Sequence, residues 1–201
     1  MPMRTENKKS MKILYIHGLS SSGQSRTAAT LRELLPHDEI FSPDLPIDPF
    51  EAFLLLRQLV EREEVDIIIG TSMGGMFAQK FHGYCKILVN PSFHVSRSMR
   101  AKQGINQFFS QRADGAMEYL ITDELCIRYE RLEEKQFDNL PPCEIDNTIG
   151  LFGRDDTTID CSEEYTRYYK HIHYFTGGHR LDRGAIEEHL LPLIENFRRQ
   201  M

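Results

Sequence analysis

Tryptophan is absent from the 201-residue chain, cysteine is scarce, and no long apolar run occurs. The four cysteines, Cys85, Cys126, Cys143 and Cys161, form no Cys-x-x-Cys pair and have no histidine at ligand spacing. That excludes a zinc-knuckle pattern and a disulfide framework, so reduced thiols and no bound metal are expected. The first apolar run, Ile13-Leu14-Tyr15-Ile16 behind the polar stretch 1–10, is too short for a signal core or a membrane span. A cytoplasmic location is the default that follows. Positive charge is in deficit: 24 Lys and Arg face 30 Asp and Glu, a formal net charge of −6. With no basic cluster to neutralise phosphates, nucleic acid is not expected as a partner. Internal repeats, low-complexity tracts and linkers are also missing, which leaves one domain over 1–201.

What is present is a rhythm of short apolar runs and longer amphipathic stretches, the pattern of βα units on a buried, mostly parallel sheet. Strands are expected near 12–16, 39–42, 65–70, 86–90, 147–152 and 171–175, about six in all, with helices on both faces near 25–35, 49–62, 74–81, 162–169 and 184–199. The last helix places Ile186, Leu190, Leu193, Ile194 and Phe197 on one stripe. The segment 92–146 breaks the rhythm. It offers no convincing strand but several helix-like pieces, and it reads as a small helical cap inserted before the fifth strand.

The chemistry begins at Gly70-Thr71-Ser72-Met73-Gly74, a G-x-S-x-G between an expected strand and an expected helix. The string alone is a weak signal. In this position it is the nucleophile elbow of an α/β-hydrolase fold, where small neighbours permit the tight turn that exposes a serine hydroxyl. A serine needs a base, and the base needs a carboxylate to orient it. In this fold class these follow in the order acid, then histidine, each after a strand. The loop Gly153-Arg154-Asp155-Asp156-Thr157 offers the acid, with Asp156 favoured and Asp155 the alternative; Asp160 and Asp182 fit less well. The loop Gly177-Gly178-His179 offers the base. Of the other seven histidines, His94 is the rival because it also follows a strand.

The first strand runs into His17-Gly18-Leu19-Ser20-Ser21-Ser22-Gly23. Its glycines would bring a backbone N–H to a substrate carbonyl, so Leu19 and Met73 are the expected oxyanion donors and His17 a brace for the loop. Gly18-x-x-x-x-Gly23-Gln24-Ser25 is one substitution from a phosphate-binding loop. Gln24 stands where the lysine would be, which argues against nucleotide binding.

With these residues in place, the chain resembles the YqiA-like esterases, small α/β-hydrolases. The likeness covers most of the chain and rests on Tyr15-Ile16-His17-Gly18-Leu19 with its serine-rich loop, Gly70-Thr71-Ser72-Met73-Gly74-Gly75, Val89-Asn90-Pro91 and Gly177-Gly178-His179. The resemblance implies a metal-free esterase or thioesterase with Ser72, Asp156 and His179 as its triad. Arg180-Leu181-Asp182 departs from it, standing where a small or aromatic residue is expected.

The expected activity is hydrolysis of a small-molecule acyl ester or thioester through an acyl-enzyme, with no cofactor. Met99, Phe108, Phe109 and Met117 of the cap would line an acyl pocket or simply pack on the sheet. A thioesterase or acyltransferase would use the same triad, and a catalytically silent binding protein could share the fold. Natural substrate, acyl length and oligomeric state are not legible.

Overall fold

The computed structural model describes residues 10–201; the polar residues 1–9 lie outside the described residues. Six strands form one parallel sheet: β1 (Lys12–Ile16), β2 (Glu39–Phe41), β3 (Ile67–Thr71), β4 (Cys85–Val89), β7 (Thr148–Gly153) and β8 (His171–Phe175). They lie side by side in the order β2-β1-β3-β4-β7-β8, every neighbouring pair parallel. Runs such as Ile67-Ile68-Ile69 suit this setting, because β-branched side chains fit a pleated surface covered on both faces.

Strand periodicity divides those runs between two cores. Ile13, Tyr15, Ile67, Ile69, Ile87, Val89, Ile149 and Leu151 face one side, where they meet Ala28 and Leu31 of α1 (Arg26–Leu34) and Leu193, Ile194 and Phe197 of α9 (Leu191–Arg198). Leu14, Ile16, Ile68, Leu88 and Phe152 face the other, against Leu56 and Val60 of α2 (Pro49–Glu63), Met76 and Phe77 of α3 (Met73–Gln79) and Tyr129 of α5 (Asp123–Glu133). Helix starts are marked locally. Ser25 caps α1 through Ala28 N–H, Thr122 caps α5 through Leu125 N–H, and Asp48 caps α2 through Phe50 and Glu51 with Pro49 at the first helical position.

Between β4 and β7 the chain forms α4 (Val95–Arg100), α5 and α6 (Pro142–Asn147), as the helical reading of 92–146 anticipates. It also forms an antiparallel hairpin, β5 (Gly104–Gln107) with β6 (Glu118–Ile121), where no strand was expected. The reason is visible in burial: Tyr119 and Ile121 turn inward while Leu120 is exposed, an alternation only four residues long. The C-terminal stripe also departs from one regular helix. A short turn α8 (Arg183–Ala185) leads into a π-helical turn at Ile186–Leu190, and α9 follows. Pro192 explains the widening, since in α register its ring would press on the carbonyl four residues back and donate no hydrogen bond.

Candidate active site

The strand order reverses direction about β1: the chain steps outward to β2, then returns to place β3 on the other side of β1. In open parallel sheets such a switch point leaves a crevice at the carboxyl ends of the strands. The loops after β1 and β3 meet there, and a methyl group on Gly18 would stand 3.2 Å from Ser72 Cβ.

Ser72 occupies the sharp turn between β3 and α3 with φ 54° and ψ −119°, a conformation that side chains other than glycine rarely adopt. The turn closes only because its flanks lack side chains. A Cβ on Gly70 would fall 2.2 Å from Gly74 O, and one on Gly74 would fall 2.0 Å from Ile16 O. Backbone bonds hold the turn from both sides, Ser72 N–H donating to Val89 O and Ser92 N–H donating to Ser72 O, each at 3.0 Å.

His179, after β8, stands with Nε2 2.9 Å from Ser72 Oγ. Its Nδ1 is 2.7 Å from Asp156 Oδ2. The other Asp156 oxygen accepts from Thr158 N–H at 2.8 Å and Ile159 N–H at 3.1 Å, and its side chain is only 3% exposed. The carboxylate facing His179 is therefore that of Asp156; Asp155, its neighbour, is exposed. With Nδ1–H donating to a carboxylate, Nε2 carries the lone pair that faces the Ser72 hydroxyl. His94 lies elsewhere, with Nε2 3.0 Å from each oxygen of Glu164.

His17 does brace the first loop. Leu45 N–H donates to its Nε2 at 3.2 Å, so Nδ1 carries the proton and donates to Gly18 O at 2.8 Å. Burial pushes its pKa down to about 4, keeping the ring neutral. The would-be phosphate loop is committed to other partners: Gly23 N–H donates to Asp44 Oδ1 at 2.7 Å, placing a carboxylate where a phosphate would sit, and Ser25 caps α1. Met73 directly follows Ser72, and Leu19 follows Gly18 in the loop that meets it; among the described residues neither backbone N–H has a protein acceptor.

The hairpin and the stretch between its strands fold over the serine-rich loop. Phe109 N–H donates to Ser20 O at 2.7 Å, Ser22 Oγ donates to Gln111 O at 2.7 Å, and the Ser20 and Tyr119 hydroxyls are hydrogen-bonded. Phe108 packs on Tyr119 at 4.7 Å, whereas Phe109 is 68% exposed beneath the Arg180 guanidinium at 4.9 Å. The two phenylalanines thus split between packing and exposure. Met99 is fully buried and Met117 largely exposed. A hollow of about 300 Å³ beside the hairpin, between Ile47, Leu120 and Arg128, contains neither Ser72 nor His179. Among the described residues no group of three or more His, Cys, Asp or Glu side chains could hold a metal ion, and no helix is long and apolar enough to cross a membrane.

Residues 12–197 match the uncharacterised protein family UPF0227. The chain belongs to that family, which includes the YqiA-like proteins. Solved structures add the fold. The protein is similar to Est1E from Butyrivibrio proteoclasticus, at 16% identity and a TM-score of 0.62 over 94% of this chain and 90% of that one. It is also similar to alpha/beta hydrolase domain-containing protein 10 from mouse, at 11% identity and 0.63 over 96% and 92%. A third, the esterase RhEst1 from Rhodococcus sp. ECU1013, matches at 16% identity and 0.55 over 96% and 92%. The α/β-hydrolase fold is thereby shown for this family member.

Asn90 is the residue of this site that sequence reasoning passed over. It entered only through the Asn-Pro resemblance, and its partners are dozens of residues away in sequence.

Proposed function

We propose that this protein hydrolyses carboxylic esters of small molecules through a serine nucleophile. The observation that carries the reading is the continuous chain from Ser72 Oγ to His179 Nε2 at 2.9 Å and from His179 Nδ1 to Asp156 Oδ2 at 2.7 Å, with the serine held on a strained turn. His179 takes the Ser72 proton as Oγ attacks the acyl carbonyl. Asp156 holds the ring in the required tautomer and stabilises the imidazolium that forms. The carbonyl oxygen becomes an oxyanion between the Met73 and Leu19 amides. His179 then returns the proton to the leaving alkoxide, which departs as an alcohol and leaves an acyl-Ser72. Water deprotonated by the same ring releases the acid and restores the serine. Esterase names among the solved structures of the same fold agree with this reading.

A thioester acyl group would follow the same steps, with a thiolate as leaving group. The test is labelling by a fluorophosphonate probe together with hydrolysis of p-nitrophenyl esters of increasing acyl length. Ser72→Ala and His179→Ala are expected to abolish labelling and Asp156→Asn to lower kcat by about 10⁴, while Asp155→Asn stays within about twofold, as for surface changes away from the chemistry. A folded wild type that neither labels nor turns over these esters would overturn the proposal and leave a binding protein on a hydrolase fold.

A further inference from the structure

The stretch from the end of β4 onward touches all three loops of the proposed triad. Its backbone grips the nucleophile turn through Val89 and Ser92. Between these two, the Asn90 side chain reaches the other two loops. It is 2% exposed, and all its polar atoms are engaged. Oδ1 accepts from Gly153 N–H at 2.7 Å, at the point where β7 gives way to the acid loop. Nδ2 donates to Gly178 O at 3.2 Å and to His179 O at 3.0 Å, in the base loop itself. The acid loop is short from there: Asp156 N–H donates back to Gly153 O at 3.2 Å.

We propose that Asn90 is a positioning residue that fixes the separation of the acid and base loops, and so the alignment of Asp156 and His179 over Ser72. The inference rests on the triad reading above. No other side chain supplies this set as compactly, because the site asks for one acceptor and two donors in a single planar group. A leucine would leave one N–H and two carbonyls without these partners in a part-buried place. A carboxylate would satisfy Gly153 but turn its second oxygen against two carbonyl oxygens. The backbone adds a further demand: Asn90 has φ 41°, a left-handed conformation that asparagine tolerates better than most residues. Asn90 donates to no triad side chain and acts through the loops that carry them.

The test uses the full chain, with kcat and KM for p-nitrophenyl acetate measured from pH 5 to 9 in parallel with fluorophosphonate labelling rates. Asn90→Gly removes the amide without straining the backbone. Asn90→Asp keeps the shape and the acceptor but removes the donor. Both are expected to lower kcat about ten- to a hundredfold, the cost of misplacing a catalytic group by about an ångström, with KM held within about twofold. Asn90→Asp should in addition acquire a falling alkaline limb absent from the wild type, because only the neutral carboxyl can donate to Gly178 or His179. In an Asp156→Asn background the Asn90→Gly penalty should shrink to a few-fold, as residues acting through one unit are non-additive.

If Asn90→Gly does not fold, Asn90→Asp decides, assayed from its acidic end, where the protonated carboxyl restores one of the two donated bonds. Wild-type kcat and pH profile in folded Asn90→Asp would overturn the proposal, as would an Asn90→Gly penalty equal with and without Asp156. An inert wild type would instead overturn the triad reading.

Discussion

Ser72 shows how one residue's conformation bears on stability and, under the proposed function, on chemistry. Its φ of 54° with ψ −119° belongs to backbone that glycine enters freely and serine enters at a cost of about 1–3 kcal/mol. Ser72→Gly should therefore raise stability by about 1 kcal/mol, since relief of strain outweighs the greater chain entropy of glycine at about 0.5–1 kcal/mol. Urea denaturation checks it, with loss of fluorophosphonate labelling in the same variant; an unchanged or lower midpoint would contradict the strain. The serine was legible because a motif and its position between strand and helix coincide. Asp156 was legible only as one of an adjacent pair. Which of Asp155 and Asp156 turns to His179 depends on how the chain bends after Gly153, where Arg154 N–H donates to Phe175 O and Asp155 N–H to Gly177 O, both in or beyond β8. No local pattern encodes that.

Elements with long, repeated signals were readable, and those built from short or distant ones were not. The strands of the main sheet fall within a few residues of their expected places because runs such as Ile67-Ile68-Ile69 need no partner to be recognised. The β5–β6 hairpin was missed because each strand has four residues and exposes Ile105 or Leu120 to solvent. A second unannounced feature joins β4 to α6. Lys86 and Glu144 are both fully buried and ion-paired, with Lys86 Nζ also donating to Phe81 O at 2.7 Å and Glu144 Oε1 accepting from Gly83 N–H at 2.6 Å. Burial pushes the Lys86 pKa down, and Glu144 offsets this only in part. Glu144→Ala should cost about 3–5 kcal/mol by leaving a buried ammonium without its partner, whereas Lys86→Met combined with Glu144→Leu should recover most of that loss. Chemical denaturation of the three proteins reads both effects. A single variant near wild-type stability would show that the pair carries no buried-charge penalty.

For the whole molecule, one buried histidine links stability to pH. His17 has a folded pKa of about 4 against an ordinary 6.5, so between these values the unfolded chain binds more protons than the folded one. Its contribution is complete above pH 6.5 and is lost as pH falls toward 4, by about 3 kcal/mol in total. Stability of the wild type should drop more steeply over that window than stability of His17→Gln, measured by urea melts at pH 7, 5.5 and 4.5. Parallel curves for the two proteins would show that His17 is not held neutral. The same ring ties the loop after β1 to Leu45, so protonation would loosen the loop that carries Leu19 as well as the fold.

Taken alone, the sequence determined the alternation of buried strands and amphipathic helices, the tight turn at Ser72, and the order in which the loops of the proposed acid and base follow it. These are local or periodic signals, written in spacing and in the need of glycine at a crowded turn. Tertiary structure decided what depends on contact between distant segments: that Asp156 rather than Asp155 meets His179, that Lys86 finds Glu144, that Phe108 packs while Phe109 stays outside, and that Asn90 spans from Gly153 to His179. The physical reason is that a hydrogen bond or ion pair is a statement about distance in space. Only the assembly of the sheet and its loops brings positions 58 to 107 residues apart, as Lys86–Glu144 and Ser72–His179 are, within reach of one another.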